Sequence, residues 1–176
     1  LNEALDSYQK GGVMSDIGCY TLGALEPYNA INSCVDMGAS VTMAKGLADS
    51  GFKPAVGVIG DSTFTHSGIT GLLDCINDKS PVTIFILDNE ITAMTGGQPS
   101  PGFGKIEMIC KGLGVEEEHI RVINPLKRHH EKNVNVIKEE LEYDGVSVII
   151  PRRICIVESR KINKKNYSFF NNNSNI

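Results

Sequence analysis

The sequence predicts an α/β domain built as a doubly wound, mostly parallel sheet. Ala55-Val56-Gly57-Val58-Ile59 and Val82-Thr83-Ile84-Phe85-Ile86-Leu87 are short apolar runs rich in β-branched residues, the pattern of parallel strands buried on both faces. Between them, Ile69, Leu72, Leu73 and Ile76 recur at three- and four-residue steps, which predicts a helix over His66 to Asn77. Strand, helix and strand make one right-handed crossover, so the residues that end both strands emerge on the same edge of the sheet. The other elements keep the alternation. Asp16 to Tyr20 is expected as a short strand or strand end running into a glycine-marked loop. Asp36 to Ser50 is expected as a helix, with Asp36 near its start and Gly51 just beyond its end. Pro54 resets the chain into the first central strand, and Asp78-Lys79-Ser80-Pro81 is the exit turn of the crossover. Residues 91–104 read as a long loop, because threonine, glycine and proline leave little room for regular structure, and such loops are usually functional. A helix follows over Ile106 to Leu113, then a strand at Arg121-Val122-Ile123 ended by Asn124-Pro125. His129 to Tyr143 is a second amphipathic helix, with Val134, Ile137 and Leu141 on its inner stripe. Val146-Ser147-Val148-Ile149-Ile150, closed by Pro151, is the last buried strand.

A length of 176 residues suits one domain with a sizeable core, expected over residues 11–155. Residues 156–176, where lysine and asparagine come to dominate, are expected to be a disordered or non-homologous tail. Hydrophobic content of 41% and charged content of 22% are those of an ordinary globular protein. A net charge of −4 gives no support to binding nucleic acid or an anionic membrane. No apolar run reaches the roughly 18 residues that span a bilayer. The amino terminus lacks the basic and apolar regions of a signal peptide, and Leu1 in place of an initiator Met implies a longer parent. Cys19, Cys34, Cys75, Cys110 and Cys155 are odd in number and form no Cys-x-x-Cys pair. That spacing excludes an iron–sulfur or zinc ribbon in this segment, argues against a disulfide scaffold and points to reduced thiols in the cytoplasm.

The chemistry gathers behind the two central strands. Gly60-Asp61-Ser62 follows the first and Asp88-Asn89-Glu90-Ile91-Thr92-Ala93-Met94-Thr95-Gly96-Gly97-Gln98 follows the second. Ligands sit at the carboxyl edge of open α/β sheets, and Asp61 and Asn89 bring two hard oxygen donors to it. Such donors beside small residues suit a Mg²⁺ that bridges to phosphate. The alternative for Asp61 is helix capping at a strand–helix turn. Ser62 and Thr63 fall where the chain enters the helix, so their N–H groups can cradle phosphate. Gly38 and Ala39, at the start of the earlier helix, are small enough to admit a ligand to the backbone. Cys19, a lone cysteine after an apolar strand, reads by itself as a buried small hydrophobe. His66, close behind Gly60-Asp61-Ser62, can cap the helix it opens, and His129-His130, among Lys127, Arg128 and Lys132, mark a solvated helix start.

Gly-Asp-Ser, the spacer and Asp-Asn resemble the thiamine diphosphate (TPP) signature, which usually reads Gly-Asp-Gly and then Asn-Asn. Asp16-Ile17-Gly18-Cys19-Tyr20-Thr21-Leu22-Gly23, Met37-Gly38-Ala39-Ser40 and Met94-Thr95-Gly96-Gly97-Gln98 narrow this further. They resemble the 2-oxoacid:ferredoxin oxidoreductases, above all the TPP-binding domain of indolepyruvate ferredoxin oxidoreductase alpha subunits, over about residues 11–155. The resemblance implies the TPP-binding fold, with Asp61, Asn89 and the main-chain carbonyl of Ile91 holding Mg²⁺. It implies cofactor contacts from Gly18, Cys19, Gly38, Gly60, Asp61, Ser62, Thr63, Asn89, Thr92, Ala93, Met94 and Thr95. Cys19 would face the thiazolium ring, and His66 would serve at the substrate end.

The implied reaction is oxidative decarboxylation of indolepyruvate or a related aryl pyruvate, with electrons passed to ferredoxin and the acyl group to coenzyme A. The implied partners are the pyrimidine-binding domain of the parent chain, which supplies an activating glutamate, and a small beta subunit. [4Fe–4S] clusters belong to the full-length complex, in a downstream ferredoxin-like segment, and this chain has no ligands for them. By itself the chain would be a diphosphate-binding half-site. Two other readings stay open: a TPP-dependent decarboxylase or synthase domain, and a cofactor-binding module inactive on its own.

Overall fold

A computed structural model describes residues 1–8, 11–155 and 159. The tail expected over 156–176 lies, Ser159 apart, outside the described residues. Strands β1 (Gly12–Ser15), β2 (Ser33–Cys34), β3 (Ala55–Gly60), β4 (Val82–Leu87), β7 (Ile120–Ile123) and β8 (Val146–Pro151) form one sheet in the order β2-β1-β3-β4-β8-β7. Every pairing in it is parallel. A two-residue antiparallel ladder, β5 (Ile91–Thr92) with β6 (Gln98–Pro99), stands apart from it.

The central strands are apolar throughout because both of their faces are covered. On one face α2 (Ala39–Asp49), α4 (Ile69–Asn77) and α5 (Ile106–Leu113) bring Val41, Ala44, Leu72, Cys75, Ile106 and Cys110 onto Ile59, Ile84, Ile86 and Ile150. On the other, α1 (Asn2–Leu5) and α6 (His130–Glu142) bring Ala4, Val134, Ile137 and Leu141 onto Val56, Val58, Phe85 and Ile149. Gly57 lets α2 approach β3 closely, for a Cβ there would stand 3.2 Å from the Ser40 carbonyl. Among the described residues no helix is long and apolar enough to cross a membrane.

The elements depart from the sequence expectation where side chains compete with backbone pairing. Asp16 to Tyr20 is not a strand: β1 stops at Ser15, and Cys19–Ala24 is a 3₁₀ turn. Thr21 causes the break, since its hydroxyl donates to the Asp16 carbonyl at 2.8 Å and accepts the Gly18 N–H at 3.0 Å. The crossover helix starts at Asp61, not His66. It runs through α3 (Asp61–Thr63), a π-helical turn at Phe64–Gly68 and then α4. Helix α2 begins at Ala39 because Gly38 holds φ +89°, outside any right-handed helix. The 91–104 loop is more ordered than its composition implies, folding back through β5, a 3₁₀ turn at Ala93–Thr95 and β6.

Candidate functional site

β1, β3 and β4 are neighbours in the sheet, and each is followed by an aspartate: Asp16, Asp61 and Asp88. All three are buried at the carboxyl edge. Between the ends of these strands and the β5–β6 loop lies a cavity of ≈ 350 Å³. Gly18, Cys19, Gly60, Asp61, Ser62, Thr63, Asn89, Ile91, Thr92, Ala93, Met94 and Thr95 line it, which brings together nearly every residue the sequence nominated. A larger cavity of ≈ 460 Å³ lies around Gly12 and Pro54, where β1 and β3 begin, away from these aspartates.

Asp61 is only 3% exposed. Its Oδ1 accepts the Ser62 N–H at 2.7 Å, while Oδ2 is buried without a hydrogen-bond partner among the described residues. Burial pushes its pKa above the ordinary range; the Ser62 N–H opposes that and the charge of Asp88 adds to it. Ser100 Oγ stands near enough to pull the value down without reaching hydrogen-bond geometry, and it too is buried and unpartnered. Buried carboxylate oxygens are costly unless something satisfies them, and a hard divalent cation does. From the neighbouring strand, Asn89 Oδ1 accepts the Ile91 N–H at 3.1 Å and keeps a second lone pair. Ser62 Oγ and Thr92 Oγ1, 2.8 Å apart, bridge the two strand ends with hydroxyls suited to phosphate. The donor set fits a cation–diphosphate pair. The Ser62 N–H, expected to face phosphate, is instead taken by Asp61.

Gly38 and His66 do not reach the cavity. The Gly38 N–H donates to Asp16 Oδ2 at 2.9 Å, and a Cβ on Gly38 would stand 2.7 Å from Ser67 Cβ. What reaches the cavity from this turn is Met37. His66 is exposed on the π-helical turn, off the cavity wall. Sequence reasoning missed Asp16 as an organiser: fully buried, it takes the Gly38 N–H, the Ser40 hydroxyl at 3.1 Å and the Tyr20 hydroxyl. Burial pushes its pKa up, and these three donors pull it back. The Tyr20 phenol is pushed up by burial and by the Asp16 carboxylate beside it. The aspartate ending each of three adjacent strands is the signal that could have found it. Ile17, Tyr20, Met37 and Leu87, also not foreseen, complete an apolar wall.

Cys19 is exposed on the cavity wall, which excludes the buried-hydrophobe alternative. Cys75 and Cys110 are buried, and burial pushes both thiols up to about 12. They act as core residues.

Residues 16–150 match the thiamine pyrophosphate enzyme family, at its C-terminal TPP-binding domain. The chain belongs to that family. This TPP-binding domain is 38% identical to the indolepyruvate oxidoreductase subunit IorA of Archaeoglobus fulgidus, over 89% of this chain and 26% of that protein. It is 39% identical to the IorA subunit of Thermococcus kodakarensis, over 80% of this chain and 25% of that protein. The domain thus spans about a quarter of the length of the curated relatives it matches. Among solved structures, the 2-oxoglutarate:ferredoxin oxidoreductase from Magnetococcus marinus superposes with a TM-score of 0.68 at 17% identity, over 85% of this chain and 56% of that one. The thiamine diphosphate-dependent 4-hydroxybenzoylformate decarboxylase of Rhodococcus jostii RHA1 gives a TM-score of 0.59 at 21% identity, over 82% of this chain and 30% of that one. At such identities the likeness is one of fold.

Proposed function

We propose that residues 11–155 are the TPP- and Mg²⁺-binding part of a 2-oxoacid:ferredoxin oxidoreductase that decarboxylates indolepyruvate or a related aryl pyruvate. The observation that carries the metal assignment is that the buried Asp61 Oδ2 beside Asn89 has no hydrogen-bond partner among the described residues. The IorA relatives support the substrate class. Asp61, the Asn89 carboxamide and the Ile91 carbonyl would hold Mg²⁺, leaving its other positions to diphosphate oxygens and water. Ser62, Thr63, Thr92 and Thr95 would hold the diphosphate from two sides. TPP, when bound, supplies the nucleophilic carbon that makes loss of CO₂ from a 2-oxoacid possible.

The chain's own residues bind, orient and shield. Ile17, Tyr20, Met37, Leu87 and Met94 give the cavity its apolar lining, and the exposed Cys19 lines it beside them. His66 takes no part. The complete reaction draws on a pyrimidine-binding domain, a beta subunit, [4Fe–4S] clusters, ferredoxin and coenzyme A, all in the cytoplasm. Mixing the chain with a pyrimidine-binding domain and beta subunit tests this. Indolepyruvate should drive ferredoxin reduction and aryl-acetyl-CoA formation, and Cys19→Ala should lower that turnover while leaving TPP affinity unchanged. Release of the aldehyde without ferredoxin reduction would mark a plain decarboxylase, and no turnover in any mixture would mark a binding module only.

A further inference from the structure

The residues following β8 run alongside the turn that carries Asn89. The Asp88↔Arg152 bridge keeps the parallel register of Phe85↔Ile149. The Asp88 N–H donates to the Pro151 carbonyl at 3.1 Å, the Arg153 N–H to the Asp88 carbonyl at 3.0 Å and the Cys155 N–H to the Asn89 carbonyl at 3.3 Å. Side chains add a second layer. Arg152 Nε donates to Asp88 Oδ2 at 2.6 Å, and its two Nη atoms grip Glu107 of α5 at 2.8 and 2.7 Å. The other Asp88 oxygen accepts the Glu90 N–H at 3.2 Å, and Glu90 stands at φ +70°, a conformation that a non-glycine residue keeps only when held. Asn89 sits between the two held residues.

We infer that Arg152 is a positioning residue: through Asp88, and anchored on Glu107, it fixes the Asn89–Glu90 turn in the geometry that a small octahedral cation needs. The inference rests on reading Asp61 and Asn89 as metal ligands. An arginine fork reaches two carboxylates on different elements at once, which a lysine ammonium does not reproduce. Mg²⁺ demands near-ideal octahedral geometry at about 2.0–2.1 Å, whereas Ca²⁺ accepts looser sites at about 2.3–2.6 Å. A loosened turn therefore penalises Mg²⁺ more than Ca²⁺. A general loss of stability penalises both alike.

The test is TPP affinity of the full chain, wild type and Arg152→Lys, with Mg²⁺ or Ca²⁺ as the only divalent ion. With Mg²⁺ the variant should lose roughly 10- to 100-fold, the usual cost of removing a partner that orients a metal ligand. With Ca²⁺ the loss should be distinctly smaller. Equal losses with both ions, or no loss with either, would overturn the positioning role while leaving the site in place. A wild-type chain that binds TPP with neither ion would overturn the site itself and this inference with it. If Arg152→Lys does not fold, Glu107→Gln removes only the far anchor and should shift the Mg²⁺/Ca²⁺ preference in the same direction. An unchanged preference there overturns the inference.

Discussion

Asp61→Asn should abolish Mg²⁺-dependent TPP binding and should leave the ligand-free chain as stable as wild type or more so at neutral pH. The substitution is nearly isosteric and keeps an acceptor for the Ser62 N–H, so what it removes is the charge on a buried carboxylate with one unpartnered oxygen. Without an anionic ligand the site should lose more than the roughly 10- to 100-fold that loss of a supporting partner costs. The sign on stability follows from the direction of the pKa. The Asp61 carboxyl lies above its ordinary value because of burial, so the unfolded chain releases this proton more readily than the folded one. Its contribution to folding is therefore fully present below the ordinary carboxylate pKa and is lost as pH rises through the raised folded value. The variant lacks that loss. Urea denaturation across pH, with calorimetric titration of TPP, reads both effects. A variant that binds TPP as wild type does would remove Asp61 from the metal site.

Gly38→Ala should cost the fold about 3 kcal/mol. A left-handed backbone costs a non-glycine residue about 1–2 kcal/mol. Overpacking against Ser67, whose hydroxyl donates to the Met37 carbonyl at 3.0 Å, adds about 1–3 kcal/mol. The same shift disturbs the Asp16 carboxylate, which holds the Gly38 N–H, the Ser40 hydroxyl and the Tyr20 hydroxyl together. Denaturant unfolding without ligand measures it. A loss well under 1 kcal/mol, accompanied by weakened TPP binding, would return Gly38 to the cofactor-facing role that its sequence context implies.

The crossover and its two polar ends were legible in the sequence because strands buried on both faces must be apolar throughout. Their boundaries then stand out, and Asp61 and Asn89 follow them directly. The glycines, threonines and Met94 of the 91–104 loop were legible as a group, since the chain there lacks both helical and strand periods. Asp16 was legible only as the aspartate that ends a third strand; its contacts with residues 38 and 40 depend on a tertiary arrangement that no spacing encodes. Gly38 misled for a related reason. A glycine that admits a ligand and a glycine that must turn left-handed look alike in sequence. His66 was placed at a helix start that lies at Asp61 instead, and the π-helical turn carries it to the surface. Arg152 lay beyond Pro151, read as the close of the last strand, whereas the pairing with Asp88 and Asn89 continues through Cys155.

The most direct measurement is thermal unfolding of the chain with Mg²⁺ alone, TPP alone and both together. A ligand at one hundred times its Kd adds about 2.7 kcal/mol. For a domain of this size that is a rise in Tm of several degrees. The metal-bridged site predicts that rise only when both components are present, because the buried Asp61 carboxylate and the diphosphate need the cation between them. A folded chain, established by circular dichroism, whose Tm does not move with both, or moves as far with TPP alone, would contradict it.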